Sequence, residues 1–307
     1  MARIRTMKEL VERARALGPA RLVVAAAESA TALGAAVEAE RQGLAVPLLV
    51  GDRGGIGAQL HALGSEPRRF VVVHEPDDQR AARLAVHFAR IGEADVILKG
   101  RCRTSELLRA VLDRNEGLRR GSLVSDVLVT EHPLGEARLV AVTDGGVNVA
   151  PTLAQKRAIL ENALRALRRL GLERPRVAAL CAIETVERGM PHTAEAAELS
   201  AMAGRGEISG CDLVGPIALD GALSPDAARA KGLDHPAAGR ADLLLAPSIE
   251  VGNVLGKSFT WLARKPVGHV IEGARVPVLI PSRAEHALDK LCSIALGVLA
   301  AREGPWA

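Results

Sequence analysis

Tyrosine is absent from this 307-residue chain, and its other aromatics are three phenylalanines and two tryptophans. So few rings leave little to stack on a run of bases, and basic residues interleave with acids rather than gather in blocks. A nucleic-acid partner is therefore not expected. Long hydrophobic runs are missing too: no stretch reaches the roughly 20 apolar residues that span a bilayer. The start, Met1-Ala2-Arg3-Ile4-Arg5, has no apolar segment behind it. A cytoplasmic protein with no membrane partner is expected. The four cysteines, Cys102, Cys181, Cys211 and Cys292, are far apart, with no Cys-x-x-Cys pair and no histidine at ligand spacing. That argues for reduced thiols and against a zinc site or a disulfide framework.

What is abundant is small aliphatic residue. Hydrophobic residues make up 48% of the chain and the formal charge is only +4, so Ala, Val and Leu must build the core of two compact domains or one large one. The near-continuous apolar run at 21–27 reads as a strand buried on both faces, 46–50, 70–73 and 95–98 read as further strands, and helical patterns at 31–42 and 77–91 separate them. The alternation continues with strands at 138–143, 177–182, 212–214, 242–246 and 267–271 and helices at 153–170, 192–203 and 253–263. This pattern predicts an α/β fold with largely parallel sheets. The turn His132-Pro133-Leu134-Gly135 sets the expected boundary: residues 1–132 plus 282–307 form a discontinuous first domain, and 133–281 the second.

In such sheets ligands sit beyond the carboxyl ends of strands. After the 95–98 strand come Lys99 and Gly100, which offer charge and close approach, then Thr104 as a candidate helix cap and Arg109 as a second cation. After the 138–143 strand comes Asp144-Gly145-Gly146-Val147-Asn148-Val149-Ala150-Pro151, a shaped loop. Near the C-terminus an apolar run ends at Pro281, and Ser282-Arg283 opens a helical pattern. There a hydroxyl and a guanidinium would sit at a helix N-terminus, and Asp289, seven residues on, would share the helical face of Ser282. Ser282-x-x-Glu285 fits a capping box equally well.

Two glycine-rich stretches fail their motifs. Gly252 to Ser258 has three residues between its glycines where a P-loop needs four, and no three glycines in 51–57 match the dinucleotide spacing.

Together several segments resemble the phosphate acyltransferase family, phosphate acetyltransferase and phosphate butyryltransferase, the latter branch more closely. They are Ala94-Asp95-Val96-Ile97-Leu98-Lys99-Gly100, Leu107-Leu108-Arg109-Ala110-Val111-Leu112, Thr143 to Pro151, Gly215-Pro216-Ile217-Ala218-Leu219-Asp220, Gly252-Asn253 and Ser282-Arg283-Ala284. The resemblance implies two α/β domains of the isocitrate/isopropylmalate dehydrogenase-like architecture around an interdomain cleft, and a homodimer. It also implies reversible acyl transfer, acyl-CoA plus phosphate giving acyl phosphate plus CoA. Coenzyme A would be a substrate, with no permanently bound cofactor and no metal. By resemblance Ser282 would hydrogen-bond the reacting centre, Arg283 grip phosphate, Arg109 contact it again and Asp289 serve as base. Lys99, Gly100, Thr104, Asn148, Gly252 and Asn253 would line the substrate site. Ser248 departs from the family pattern, where an aspartate is common. The rival expectations are a non-catalytic acyl-CoA- or phosphate-binding module and a hydroxy-acid dehydrogenase of the same architecture.

Overall fold

The structure, a computed structural model, describes residues 2–282 and 284–302. Contacts gather the chain into two compact units: a flanking unit of Met7–Gly121 with the chain from Pro266 onward, and a central unit of Ser122–Lys265 with the residues up to Thr6. The flanking unit opens with α1 (Met7–Ala16), β1 (Ala20–Ala25), α2 (Ala30–Arg41), β2 (Ala45–Gly51), α3 (Arg53–Ala62), β3 (Val71–His74), α4 (Asp78–Arg90), β4 (Val96–Lys99) and α5 (Thr104–Val111). The central unit holds β5 (Ser125–Glu131), β6 (Leu139–Thr143), α6 (Leu153–Arg169), β7 (Arg176–Leu180), α7 (Pro191–Gly204), β8 (Asp212–Ile217), α8 (Leu219–Leu223), α9 (Pro225–Ala230), β9 (Leu243–Leu245) and α10 (Ile249–Trp261). The chain then returns to the flanking unit through β10 (Val267–Glu272), β11 (Val278–Leu279) and α11 (Ala287–Arg302).

In the flanking unit the strand order is β3-β2-β1-β4-β11-β10, every pair parallel except β10–β11. Leu22 to Ala25 of β1 are buried on both faces, as their unbroken apolar run requires. Helix α11 buries every residue from Asp289 to Ala300 and packs on α1, α2 and β10. A helix apolar all round is a core helix. In the central unit the order is β5-β6-β9-β7-β8, parallel apart from the β5–β6 hairpin. Two α/β units with largely parallel strands are what the apolar pattern predicts.

The details differ from expectation in several places. The expected boundaries fall at 132/133 and 281/282, whereas contacts change unit after Gly121 and after Lys265; the His132–Gly135 turn simply joins β5 to β6. Strand β5 has no clear pattern in the sequence because its Ser125, Asp126 and Thr130 are polar and nonetheless buried. The glycine-rich stretch after β2 becomes α3, started by Asp52, whose carboxylate accepts the Gly55 N–H at 2.7 Å.

Candidate functional site

Parallel strands bring their carboxyl ends to one edge, so each unit has its own loop cluster there. In the flanking unit, β4 runs into Lys99 and Gly100. The Gly100 N–H donates to Ala25 O at 2.9 Å and the Arg101 N–H to Ala26 O at 2.7 Å. A Cβ at position 100 would lie 2.1 Å from Ala26 O, so the chain's own packing requires glycine here. Ala26 itself has φ of +53°, a left-handed conformation that strains any residue with a Cβ.

Lys99 is buried and its ammonium donates to the carbonyls of Gly100 at 3.2 Å and Cys102 at 3.4 Å, stapling the loop it opens. Thr104 is the first residue of α5; the cap position belongs to Arg103, whose N–H donates to Glu106 Oε2 at 2.8 Å. Arg109 lies five residues on, about 7.5 Å further along the helix. It is exposed on a crevice of about 160 Å³ with Arg83 and Arg90 of α4. Lys99 and Arg109 therefore do not act as a paired charge at one loop.

A charged group at this edge carries no sequence motif. Arg101 pairs with Asp78 at 2.7 Å and with Glu28 at 3.3 Å, and Glu28 Oε1 accepts the Asp52 N–H at 2.9 Å. These bonds tie together the loops after β1, β2 and β4. The available signal is position alone: each residue follows or closely trails a strand end.

The segment between β11 and α11 differs most from expectation. The helix begins at Ala287, so Ser282 is not its cap, and the helical-face argument linking Ser282 to Asp289 does not apply. Ser282 is half-buried, and its carbonyl accepts the Glu285 N–H at 3.2 Å in a turn. Glu285 faces His269 at 3.4 Å and also takes a backbone hydrogen bond from Ser282. Burial works to raise the Glu285 pKa, but its hydrogen bond and attraction to His269 outweigh that and lower it.

Asp289 performs the capping. Its Oδ2 accepts the His286 N–H and its Oδ1 the Val267 N–H, both at 3.0 Å, fastening the start of α11 to the start of β10. Its residue exposure is 2%. Arg283 lies outside the described residues.

The central unit brings Asn148, Gly252 and Asn253 together around one loop. Asp144, just past β6 and 2% exposed, accepts four N–H groups. Oδ1 takes Gly146 N at 2.8 Å and Val147 N at 3.0 Å, and Oδ2 takes Asn148 N at 3.1 Å and Asn148 Nδ2 at 2.6 Å. Asn148 Nδ2 also donates to Val124 O at 2.9 Å. Asn253 Nδ2 donates to Gly145 O at 3.0 Å. A Cβ at Gly252 would lie 2.3 Å from Asp144 O, so α10 can meet this loop only through glycine. Burial pushes the Asp144 carboxyl up to about 6, and neighbouring Asp126 pushes in the same direction.

Residues 70–298 match the family described as phosphate acetyl/butaryl transferase. The chain belongs to that family. It is 38% identical over 298 residues to the phosphate butyryltransferase of Clostridium acetobutylicum, covering 97% of this chain and 99% of that one. It is 39% identical over 294 residues to the phosphate acetyltransferase of Rhizobium meliloti, covering 94% and 92%. Among solved structures it is similar to a branched-chain phosphotransacylase from Enterococcus faecalis V583, with a TM-score of 0.80, 28% identity, and coverage of 92% and 99%. The family is one of transferases, so the protein is an enzyme, and the family's substrates are acyl-CoA and phosphate.

Proposed function

We propose that this acyltransferase exchanges a short acyl group between coenzyme A and inorganic phosphate. The carrying observation is the identity of more than a third with two phosphate acyltransferases over nearly the whole chain. In the synthetic direction a phosphate oxygen attacks the thioester carbonyl, the tetrahedral oxyanion collapses, and CoA leaves as a thiolate that then takes up a proton. Arg283 would grip the phosphate through charge-assisted bonds, with Arg109 as a second contact, and Ser282 would donate to the oxyanion. Lys99, Gly100 and Thr104 shape the loop that follows β4.

Direct transfer fits the thiols of the chain. Burial pushes Cys102 and Cys181 up to about 11 and raises Cys211 as well. None of these three is a useful nucleophile at neutral pH, which disfavours an acyl-cysteine intermediate. For Asp289, whose carboxylate is buried and holds the N–H groups of His286 and Val267, we favour bracing the start of α11 over taking the proton of the CoA thiol.

The working form we propose is a cytoplasmic homodimer. Supporting this, α10 exposes Val251, Val254 and Trp261 beside an apolar groove of about 600 Å³ that a second copy would cover. Among the described residues no helix is long and apolar enough to cross a membrane.

The test is thiol release from acetyl-, propionyl- and butyryl-CoA with and without inorganic phosphate. Phosphate-dependent release is expected, and its ranking names the acyl group; release indifferent to phosphate would indicate a thioesterase. Asp289→Asn separates its two roles: loss of a brace lowers both Tm and turnover, whereas loss of a base alone leaves Tm in place.

A further inference from the structure

Asp144 is neither a candidate base nor a surface acid. A carboxylate has about four lone-pair sites, and all four here are occupied by N–H groups of the five-residue stretch the aspartate itself begins. Nothing remains with which to accept a proton from a substrate. One of the four bonds orients the Asn148 side-chain amide, and a carbonyl of the same loop orients that of Asn253. Asn148 Nδ2 lies between Val124 O and the Asp144 carboxylate, and Asn253 Nδ2 faces Gly145 O. Every one of these partners is an acceptor only, so both amide nitrogens must point inward and both amide oxygens are left for something else. Asn253 is exposed and Asn148 half-buried, so the oxygens border the solvent edge of the loop.

We propose that Asp144 is a positioning residue that fixes the Gly145–Asn148 loop so that the amide oxygens of Asn148 and Asn253 receive N–H groups of the coenzyme A arm rather than phosphate. An amide oxygen is a poor neighbour for a phosphate oxyanion and a good one for the secondary amide N–H groups of a pantetheine chain. The inference rests on the phosphate acyltransferase reading for the identity of the substrate.

The loop's surroundings make the charge, and not merely the shape, part of the device. Asp126 faces it from β5: a Cβ at Gly146 would lie 2.9 Å from Asp126 Oδ2. Gly252 and Asn253 meet it from α10, and Asn148 from its own loop, all uncharged. A proton on Asp144 has to displace one of the four donors. Because burial and Asp126 raise this carboxyl to about 6, the loop loses a bond as pH falls through that value.

Calorimetry with coenzyme A itself reads the inference without needing turnover, and initial rates with acyl-CoA and inorganic phosphate, each varied, read it with turnover. For Asp144→Asn, which keeps the volume and offers one acceptor oxygen in place of two, the expected result has two parts. CoA affinity should weaken, and KM for acyl-CoA rise, by about tenfold or more, while KM for phosphate stays within about threefold. Unchanged CoA affinity in the folded variant, or a loss confined to phosphate, overturns the proposal, as does a wild-type protein that does not bind CoA. CoA binding without phosphate-dependent turnover in the wild type would instead refute the acyl-transfer reading.

Should Asp144→Asn fail to fold, Asp126→Asn decides. Removing that neighbouring charge should move the acid limb of the kcat/KM profile for acyl-CoA down by about half a pH unit or more. A purely structural aspartate would leave the limb where it was, and that result overturns the proposal.

Discussion

Two buried aspartates of the central unit sit at opposite edges of the same sheet. Asp144 follows the carboxyl end of β6; Asp242 precedes the amino end of β9, the parallel neighbour of β6. Both are almost fully buried, yet their partners differ. Asp242 lies among guanidiniums: Arg176 at 2.8 Å, Arg3 at 2.8 Å and Arg138 at 3.8 Å. Asp144 receives only neutral N–H groups and has another aspartate beside it. Burial works to raise both carboxyls. At Asp242 the Arg176 hydrogen bonds and the attraction of Arg176 and Arg3 reverse this and lower it, whereas at Asp144 the pKa stays raised.

The linkage consequences have opposite signs. Asp242, lowered, contributes stability that is present above the ordinary carboxyl range and is lost as pH falls through its folded value. Asp144, raised to about 6, contributes stability that is fully present below its unfolded value and is lost as pH rises through about 6. One edge of the sheet is arranged to hold the fold. At the other, ionising the loop anchor costs stability while maintaining the shape we assign to coenzyme A binding.

The comparison can be broken most severely at the Asp242 edge. Asp242→Ala removes the buried carboxylate shared by the half-buried Arg176 and Arg3 and the buried Arg138, and should cost about 3–5 kcal/mol in urea unfolding. A loss under about 1 kcal/mol would mean that the cluster is solvated. A smaller loss is expected from Gly252→Ala, whose new methyl meets the Asp144 carbonyl. About 1–3 kcal/mol of strain should appear, together with weaker coenzyme A binding. Unchanged binding would detach α10 from the loop.

The smallest effect sharpens the contrast through pH. His132, buried near Arg138, is held below its ordinary value first by burial and then by that guanidinium. A lowered histidine costs stability as pH falls below its unfolded value of about 6.5. His132→Leu should therefore flatten the wild-type stability profile as pH falls below about 6.5. An identical slope in the variant would remove His132 from the account.

Much of the fold was legible because apolar periodicity reports burial directly. The run Leu22 to Ala25 reads as a two-faced strand and is one, and the helical pattern of α4 carries its buried alanines on one side. Strand β5 was not legible, because a buried Ser125, Asp126 and Thr130 break the same pattern. The motif Thr143 to Pro151 could be matched to a family, but its wording does not say that the aspartate's acceptors are all used within the loop. Likewise Ser282-x-x-Glu285 has the spacing of a capping box and its acid does bond back to Ser282, yet α11 starts only at Ala287, where Asp289 caps it, and Glu285 also pairs with His269.

By itself the sequence determined the α/β class, the alternation of elements and the family, since these depend on local periodicity and on ordered short motifs. Only the tertiary structure decided where α11 begins, why position 100 must be glycine and which atoms of Asn148 and Asn253 face outward. Each of those is set by a partner far away in the chain: Val267 for Asp289, Ala26 for Gly100 and Gly145 for Asn253. Hydrogen-bond saturation and backbone clearance are properties of such pairs, and a pair exists only once the chain has folded.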